Sequence, residues 1–291
     1  MDKKEFARKD PNGRTQSMCE HSKNVAYISA LLSHFPNTSR LIAYLHDLGK
    51  LSDDFQSYII NGGQRGSVIH AWQGAFLANE LFTDYGVAAT LLKEMVGFCI
   101  TAHHNNLSDG VSPDGDTGYF DKFTNTMDAK YSLTNIKAKI DKEDEKKLQQ
   151  LFENAKQEID ALLAKIKQIY QDRKSANFAL GLFVKYLYSC LVDADRLDAY
   201  LFEMNEEFKD SDMNWIFLID TYERNISKFS SVKQIDRIRK SISDKCKTAA
   251  QRETGIYQLS VPTGGGKTLS SFRFALHHCK EYSKKRIIYV I

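Results

Sequence analysis

The chain has 291 residues, room for one large domain or two ordinary ones. Hydrophobic residues make up 42% and charged residues 26%, with only four prolines, which excludes a disordered or fibrous chain and predicts a helix-rich globular protein. Forty Lys and Arg against 37 Asp and Glu leave a net charge of +3, too small by itself to indicate a polyanionic partner.

The N-terminal "MDKKEFARKDPNGRTQ" is polar throughout and lacks the apolar segment of a signal peptide. In "EHSKNVAYISALLSHF", His21, Val25, Ile28 and Leu32 recur at helical spacing and share one face, so the histidine lies on the core side. "LIAYLHDLGK" puts His46 and Asp47 at the end of an apolar helix that Gly49 is expected to stop. "VIHAWQGAFLANELF" and "GVAATLLKEMVGFCITAHH" read as two further apolar helices carrying His70, His103 and His104.

Residues 105–126 read as a long surface loop. Its "DGD" is a poor calcium loop, because counting from Asp114 the sixth position is Tyr119 and the twelfth Asn125. Residues 135–174 predict a charged helical hairpin or long helix that packs one thin apolar stripe. The stretch 176–192 is short for a membrane span and carries Lys185, which favours a buried core helix. In "SCLVDADRLDAY", Asp193 and Asp195 lie about 200° apart around a helix. Asp195 shares its face with Leu187, Tyr188 and Leu191, so it is the carboxylate expected to face the core.

The character changes near residue 225. A basic segment, 221–255, holds nine Lys or Arg against four Asp or Glu and reads more readily as a solvated linker helix than as a nucleic-acid contact. "GIYQLSVPTGGGKTLSSFRFALHHC" and "KKRIIYVI" then read as strand, glycine-rich loop, helix and strand, the start of a βαβ unit. A lone βαβ start cannot bury a parallel sheet on both faces, so the chain is expected to be part of a longer protein. His277 and His278 fall inside the helix and are expected to pack rather than to ligate. The five cysteines form no CxxC pair, which fits a reducing cytoplasm better than a disulfide framework or a thiolate zinc site.

Ligand-type residues thus end several apolar stripes in turn: His21, His46 with Asp47, His70, His103 with His104, and Asp195. Gathering imidazoles and carboxylates at one interior point is costly without a cation. This ordered series resembles the HD metal-dependent phosphohydrolase superfamily, and the paired histidines with His70 are similar to its nuclease branch in type I CRISPR effectors. The resemblance implies one ion held by His21, His46, Asp47 and Asp195 and a second by His70, His103 and His104, with Asp47 bridging. His46, Asp47 and Lys50 would then be catalytic, Lys50 standing near the phosphate. A solvent-exposed lysine favoured by a helix C-terminus is the equal alternative for Lys50. Histidine-rich ligation suits Mn, Fe, Co, Ni or Zn better than Mg.

"SVPTGGGKTLSS" carries GK[ST] between a strand and a helix, but Val261 stands where the phosphate-loop pattern has its first glycine. The "PTGxGKT" form resembles that of superfamily 2 helicases, and the longer stretch is similar to the type I CRISPR nuclease-helicase. Thr263, Gly264, Gly265, Gly266, Lys267 and Thr268 would then bind the phosphates and magnesium of ATP. No Walker B box, second RecA-like domain or arginine finger is present in the sequence, so this stretch is not expected to hydrolyse ATP or unwind DNA alone.

The expectation is a mainly α chain: an HD-superfamily helical nuclease domain over 1–225, then a linker and the truncated start of an α/β RecA-like helicase domain over 226–291. The resemblance implies a metal-dependent, single-strand-preferring DNA endonuclease of CRISPR interference in the cytoplasm, without a membrane, recruited by an RNA-guided surveillance complex. The alternative is an HD phosphohydrolase acting on nucleotides or cyclic-nucleotide signals.

Overall fold

The structure, a computed structural model, describes residues 5–64, 66–124, 133–209, 213–229 and 232–290. Asn125, the last position of the calcium-loop comparison, lies outside the described residues. The chain divides into two compact units, Met1–Phe208 and Lys209–Ile291. The division precedes the change of character read near residue 225, because the helix at 215–226 packs within the second unit.

The first unit opens with an antiparallel hairpin of β1 (Phe6–Lys9) and β2 (Thr15–Ser17). The polar N-terminus was not expected to form it. Asp10 makes the turn: its Oδ1 accepts from the backbone N–H of Asn12 at 2.9 Å and of Arg14 at 2.8 Å, and Gly13 takes a φ of 86° that favours glycine. Ser17 then caps α1 (Met18–Ser33), its hydroxyl accepting from Glu20 N–H.

Helix α2 (Pro36–Leu45) packs on α1 and has no local side-chain cap. Glu158 substitutes from far along the chain, its carboxylate accepting from the N–H groups of Asn37 and Thr38, each at 2.9 Å. His46 and Asp47 follow α2 directly and lead into a 3-10 turn, Leu48–Leu51, and α3 (Asp53–Asn61). Gly49 sits inside that turn and is not a left-handed helix stop. A Cβ there would lie 2.3 Å from the His70 carbonyl oxygen, so glycine is required by close approach.

Only Gln73–Leu81 of the expected helix forms (α4), which leaves His70 in the irregular segment before it. Gly74 repeats the device of Gly49: a Cβ would stand 1.8 Å from the Leu45 carbonyl oxygen, so α4 lies against the end of α2. Helix α5 (Val87–Ala102) delivers His103 and His104 just past its end. Part of the expected loop folds as α6 (Gly118–Thr124), because Tyr119, Phe120 and Phe123 find an aromatic surface; the Tyr119 ring stacks on Phe98 at 4.2 Å.

A short α7 (Thr134–Lys139) precedes α8 (Lys142–Ile169). Leu148, Phe152, Ala155, Ile159 and Ile166 form the buried stripe of α8, which packs on α2 and α5. Helix α9 (Arg173–Met204) packs on α1 and α5. The buried core helix expected at 176–192 holds only for its later part: Phe178 and Leu182 are 69% and 50% exposed, whereas Leu187, Cys190 and Leu191 are buried. By length and composition alone α9 could cross a membrane. Its polar residues Asp195 and Asp198 instead turn towards the interior of the helical unit.

The second unit contains α10 (Trp215–Ile226), α11 (Gln234–Ala249) and α12 (Lys267–Glu281). Arg273 of α12 ties them together, pairing with Glu223 of α10 at 2.6 Å and Asp244 of α11 at 2.8 Å. The two strands expected around α12 are not paired: among the described residues the only sheet is β1–β2. Residues 256–261 and 286–290 lack a ladder, and Ile256 and Val290 are exposed. A strand needs a neighbour for its N–H and C=O groups, and α12 by itself supplies none.

Candidate metal centre

The first unit brings all seven expected ligand residues together around Asp47. His21, in the first turn of α1, places Nε2 at 3.1 Å from Asp47 Oδ2, 3.3 Å from His46 Nε2 and 3.6 Å from Asp195 Oδ1. On the other side of the same carboxylate, Asp47 Oδ1 lies 3.3 Å from His103 Nε2 and 3.8 Å from His70 Nε2. His70 Nε2 is in turn 2.8 Å from His104 Nε2. Asp193, two residues before Asp195, is exposed.

The imidazoles are aimed by their outer nitrogens. Nδ1 of His46 lies 2.7 Å from the Ala43 carbonyl oxygen, Nδ1 of His103 is 2.5 Å from that of Ile100, and Nδ1 of His70 is 3.1 Å from that of Val68. A carbonyl oxygen only accepts, so each Nδ1 carries a proton and, in the neutral ring, Nε2 presents a lone pair to the centre. For His21 two groups meet Nδ1, the Asp198 carboxylate with Oδ2 at 2.7 Å and the Arg8 guanidinium at 3.0 Å, and the shorter contact, to an acceptor, assigns the Nδ1 proton to Asp198. Asp198 also accepts from Gln16 Nε2 at 3.0 Å and Asn24 Nδ2 at 2.8 Å, while Arg8 approaches it at 3.5 Å and Asp195 at 3.3 Å.

Asp198 and Arg8 are the site residues that sequence reasoning missed. Asp198 could have been found, because it lies one turn beyond Asp195 on the same face of α9. Arg8 depends on the hairpin and had no local signal.

The charges strain against burial. Burial opposes protonated His46, but the carboxylates of Asp47 and Asp195 outweigh it and push the imidazole up to about 10. Burial likewise raises Asp47, yet Lys50 and His46 hold it well below the usual carboxylate range. Asp195 is depressed in the same way, the bonded and charged His46 prevailing over its burial. His70 is lowered by burial, and burial with neighbouring His103 takes His104 down to about 3. Lys50 is buried with Nζ at 2.6 Å from Asp47 Oδ2, so the exposed-lysine alternative does not hold.

The donor set fits divalent cations. Asp47 with His70, His103 and His104, and His21 with His46, Asp47 and Asp195, each offer ligand atoms within 4.8 Å of one another. Bonds of about 2.1 Å to an ion place ligand atoms roughly 3.0 Å apart in adjacent octahedral positions, 3.4 Å in tetrahedral ones and 4.2 Å when opposed. Asp47 Oδ1 and His103 Nε2 are buried without a hydrogen-bond partner, a costly arrangement for a carboxylate and an imidazole that share no cation.

In the second unit the glycine run forms a turn. Gly264 and Gly266 have φ of 79° and 82°, and a Cβ on Gly265 would meet the Val261 side chain at 2.4 Å. Lys267 and Thr268 begin α12, and Arg239 Nε donates to the Gly264 carbonyl at 2.8 Å. His277 lies 2.8 Å from the Glu223 carboxylate and His278 bonds the Ala250 carbonyl oxygen, both within the packing of that unit.

No curated protein matches the chain. Residues 18–163 match the model of the HD domain, a stretch that includes His21, His46, Asp47, His70, His103 and His104 and stops short of Asp195. With half of its length matched and a His/Asp cluster able to hold divalent metal at its centre, the chain belongs to the HD domain family, a family of metal-dependent hydrolases.

Proposed function

We propose that the chain is a divalent-metal-dependent nuclease that cuts single-stranded DNA, the nuclease part and helicase start of a type I CRISPR effector. The observation that carries this reading is the pair of ligand groups hinged on Asp47, with Asp47 Oδ1 and His103 Nε2 buried 3.3 Å apart and neither making a hydrogen bond. His21, His46, Asp47 and Asp195 would hold one ion, and Asp47, His70, His103 and His104 the other. Ions held there would supply water activated near neutral pH and offset charge on the attacking and leaving oxygens of a phosphodiester. Asp198 and three backbone carbonyls keep the imidazoles aimed inward, so the centre is assembled before substrate arrives. Lys50, beside Asp47, would offset charge on the oxygens of a phosphodiester bound at this centre.

Support for a polymer substrate over a nucleotide comes from the "PTGGGKT" turn, since a motor supplies strand, not small molecules. In the complete helicase domain Thr263 to Thr268 would take ATP with magnesium, and the RNA-guided surveillance complex would deliver DNA in the cytoplasm.

The test is cleavage of a labelled single-stranded oligonucleotide by protein stripped with EDTA, before and after Mn²⁺, Co²⁺ or Ni²⁺ is restored. Cutting should return with metal and be absent in Asp47→Ala. Faster hydrolysis of deoxynucleoside triphosphates than of oligonucleotide would overturn the nuclease reading in favour of a small-molecule phosphohydrolase.

A further inference from the structure

Beside the metal centre the surface opens into a cavity of about 650 Å³ whose wall includes His103, His104, Asn105, Tyr188, Asp195 and Arg196. That volume lies within the range of about 300 to 1,000 Å³ typical of ligand sites. One side of the wall is a stripe of α9: Tyr188, Val192, Asp195 and Arg196 follow i, i+4, i+7 and i+8. Tyr188 fixes the facing side by donating its hydroxyl to the Asn105 carbonyl oxygen at 2.7 Å. The cavity therefore has built walls, and its lining includes His103 and Asp195, members of the two ligand groups.

The cations around this centre are not equivalent. Lys50 is held by Asp47 and Arg8 by Asp195 and Asp198. Arg196 is exposed and has no ion pair or hydrogen bond among the described residues, and it is the one lysine or arginine on the cavity wall. It follows Asp195 on α9 and lines the same cavity, so its guanidinium faces whatever occupies that cavity beside the ligand groups. A guanidinium offers paired donors that match two phosphate oxygens.

We propose that Arg196 binds a phosphate neighbouring the scissile one, making the cavity a subsite for a phosphodiester chain. This rests on the nuclease reading, and it deepens that reading by naming what selects a strand. A diester with a single phosphate cannot use the subsite.

The experiment measures binding and cutting separately on the full chain, with wild type, Arg196→Ala and Arg196→Lys. Binding of a fluorescein-labelled single-stranded oligonucleotide is followed by anisotropy in EDTA across a salt series. Arg196→Ala should weaken binding about tenfold and reduce the slope of log affinity against log salt by about 0.7, the value of one lost phosphate contact on a single strand. Arg196→Lys should keep the slope and lose part of the affinity, because charge remains but the paired geometry does not. With Mn²⁺ restored, Arg196→Ala should show its loss in KM more than in kcat. Its preference for the oligonucleotide over bis(p-nitrophenyl) phosphate should fall about tenfold. Unchanged affinity and slope in Arg196→Ala, or no binding by wild type, would overturn the subsite. Arg196-dependent binding without cutting in any of the metals would sink the nuclease reading and leave the subsite standing.

Discussion

Replacing Asp198 by asparagine tests how the centre is held together without touching an expected ligand. The carboxylate accepts on both sides, from Gln16 and Asn24 through Oδ1 and from His21 Nδ1 through Oδ2. An amide has one acceptor and one donor end, so either orientation leaves a conflict. If the amide oxygen stays with Gln16 and Asn24, its NH₂ faces His21, which must switch tautomer to accept. Its Nε2 then carries a proton into the centre and cannot bind an ion. If the amide turns round, NH₂ faces the amide donors of Gln16 and Asn24, leaving buried donors unpaired at about 1–3 kcal/mol each. The loss of such an outer partner weakens metal binding about 10- to 100-fold, equivalent to about 1.4–2.7 kcal/mol. Titration calorimetry with Mn²⁺ on wild type and Asp198→Asn measures it, with circular dichroism confirming the fold. Equal affinities would refute the orienting role of Asp198.

Three further outcomes follow from the geometry. Below about pH 10 the metal-free His46 carries a proton that metal binding must expel, so binding near pH 7.5 should release about one proton from this residue; calorimetry in buffers of different ionisation enthalpy counts it, and no release would contradict the site. Gly74→Ala drives a Cβ into the Leu45 carbonyl at 1.8 Å and should cost more than about 3 kcal/mol in a urea melt, whereas a loss under about 1 kcal/mol would show that the two backbones can part. In the second unit, burial opposes the Glu223 charge, but Arg273, His277 and Lys247 take it down to about 2. A carboxylate depressed on folding stabilises above its ordinary value near 4.5 and loses that stabilisation as pH falls towards 2. Acid titration of the wild type should therefore show a transition of this unit that is diminished in Glu223→Gln.

The ligand residues were legible because each ends or begins an apolar helical stripe, and a polar group in that position must answer for its burial. The HD doublet, His21 on the core face of α1 and the histidines after α5 are of this kind. His70 was legible as a residue and not as a position: it precedes α4, held where two glycines allow the chain to touch the Leu45 and His70 carbonyls. Such close approaches are tertiary and leave only a glycine in the sequence. Arg8 was hidden because a turn built by Asp10 and Gly13 places it, and the surrounding run reads simply as polar. Helix α6 formed where a polar loop was expected, since its three aromatic residues meet Phe98, Trp72 and Phe76 from elements far away in sequence. The strands read around α12 have the right pattern, but a ladder belongs to two segments and no pattern in one of them supplies the other.

The most direct measurement is the amount of Mn²⁺ bound per chain after equilibration and gel filtration, determined by elemental analysis for wild type and Asp47→Ala. Two groups sharing one carboxylate predict an ion for each group in wild type and loss from both when Asp47 is removed. A wild type that retains no manganese, or an Asp47→Ala protein that retains as much as wild type, would contradict a centre built around that residue.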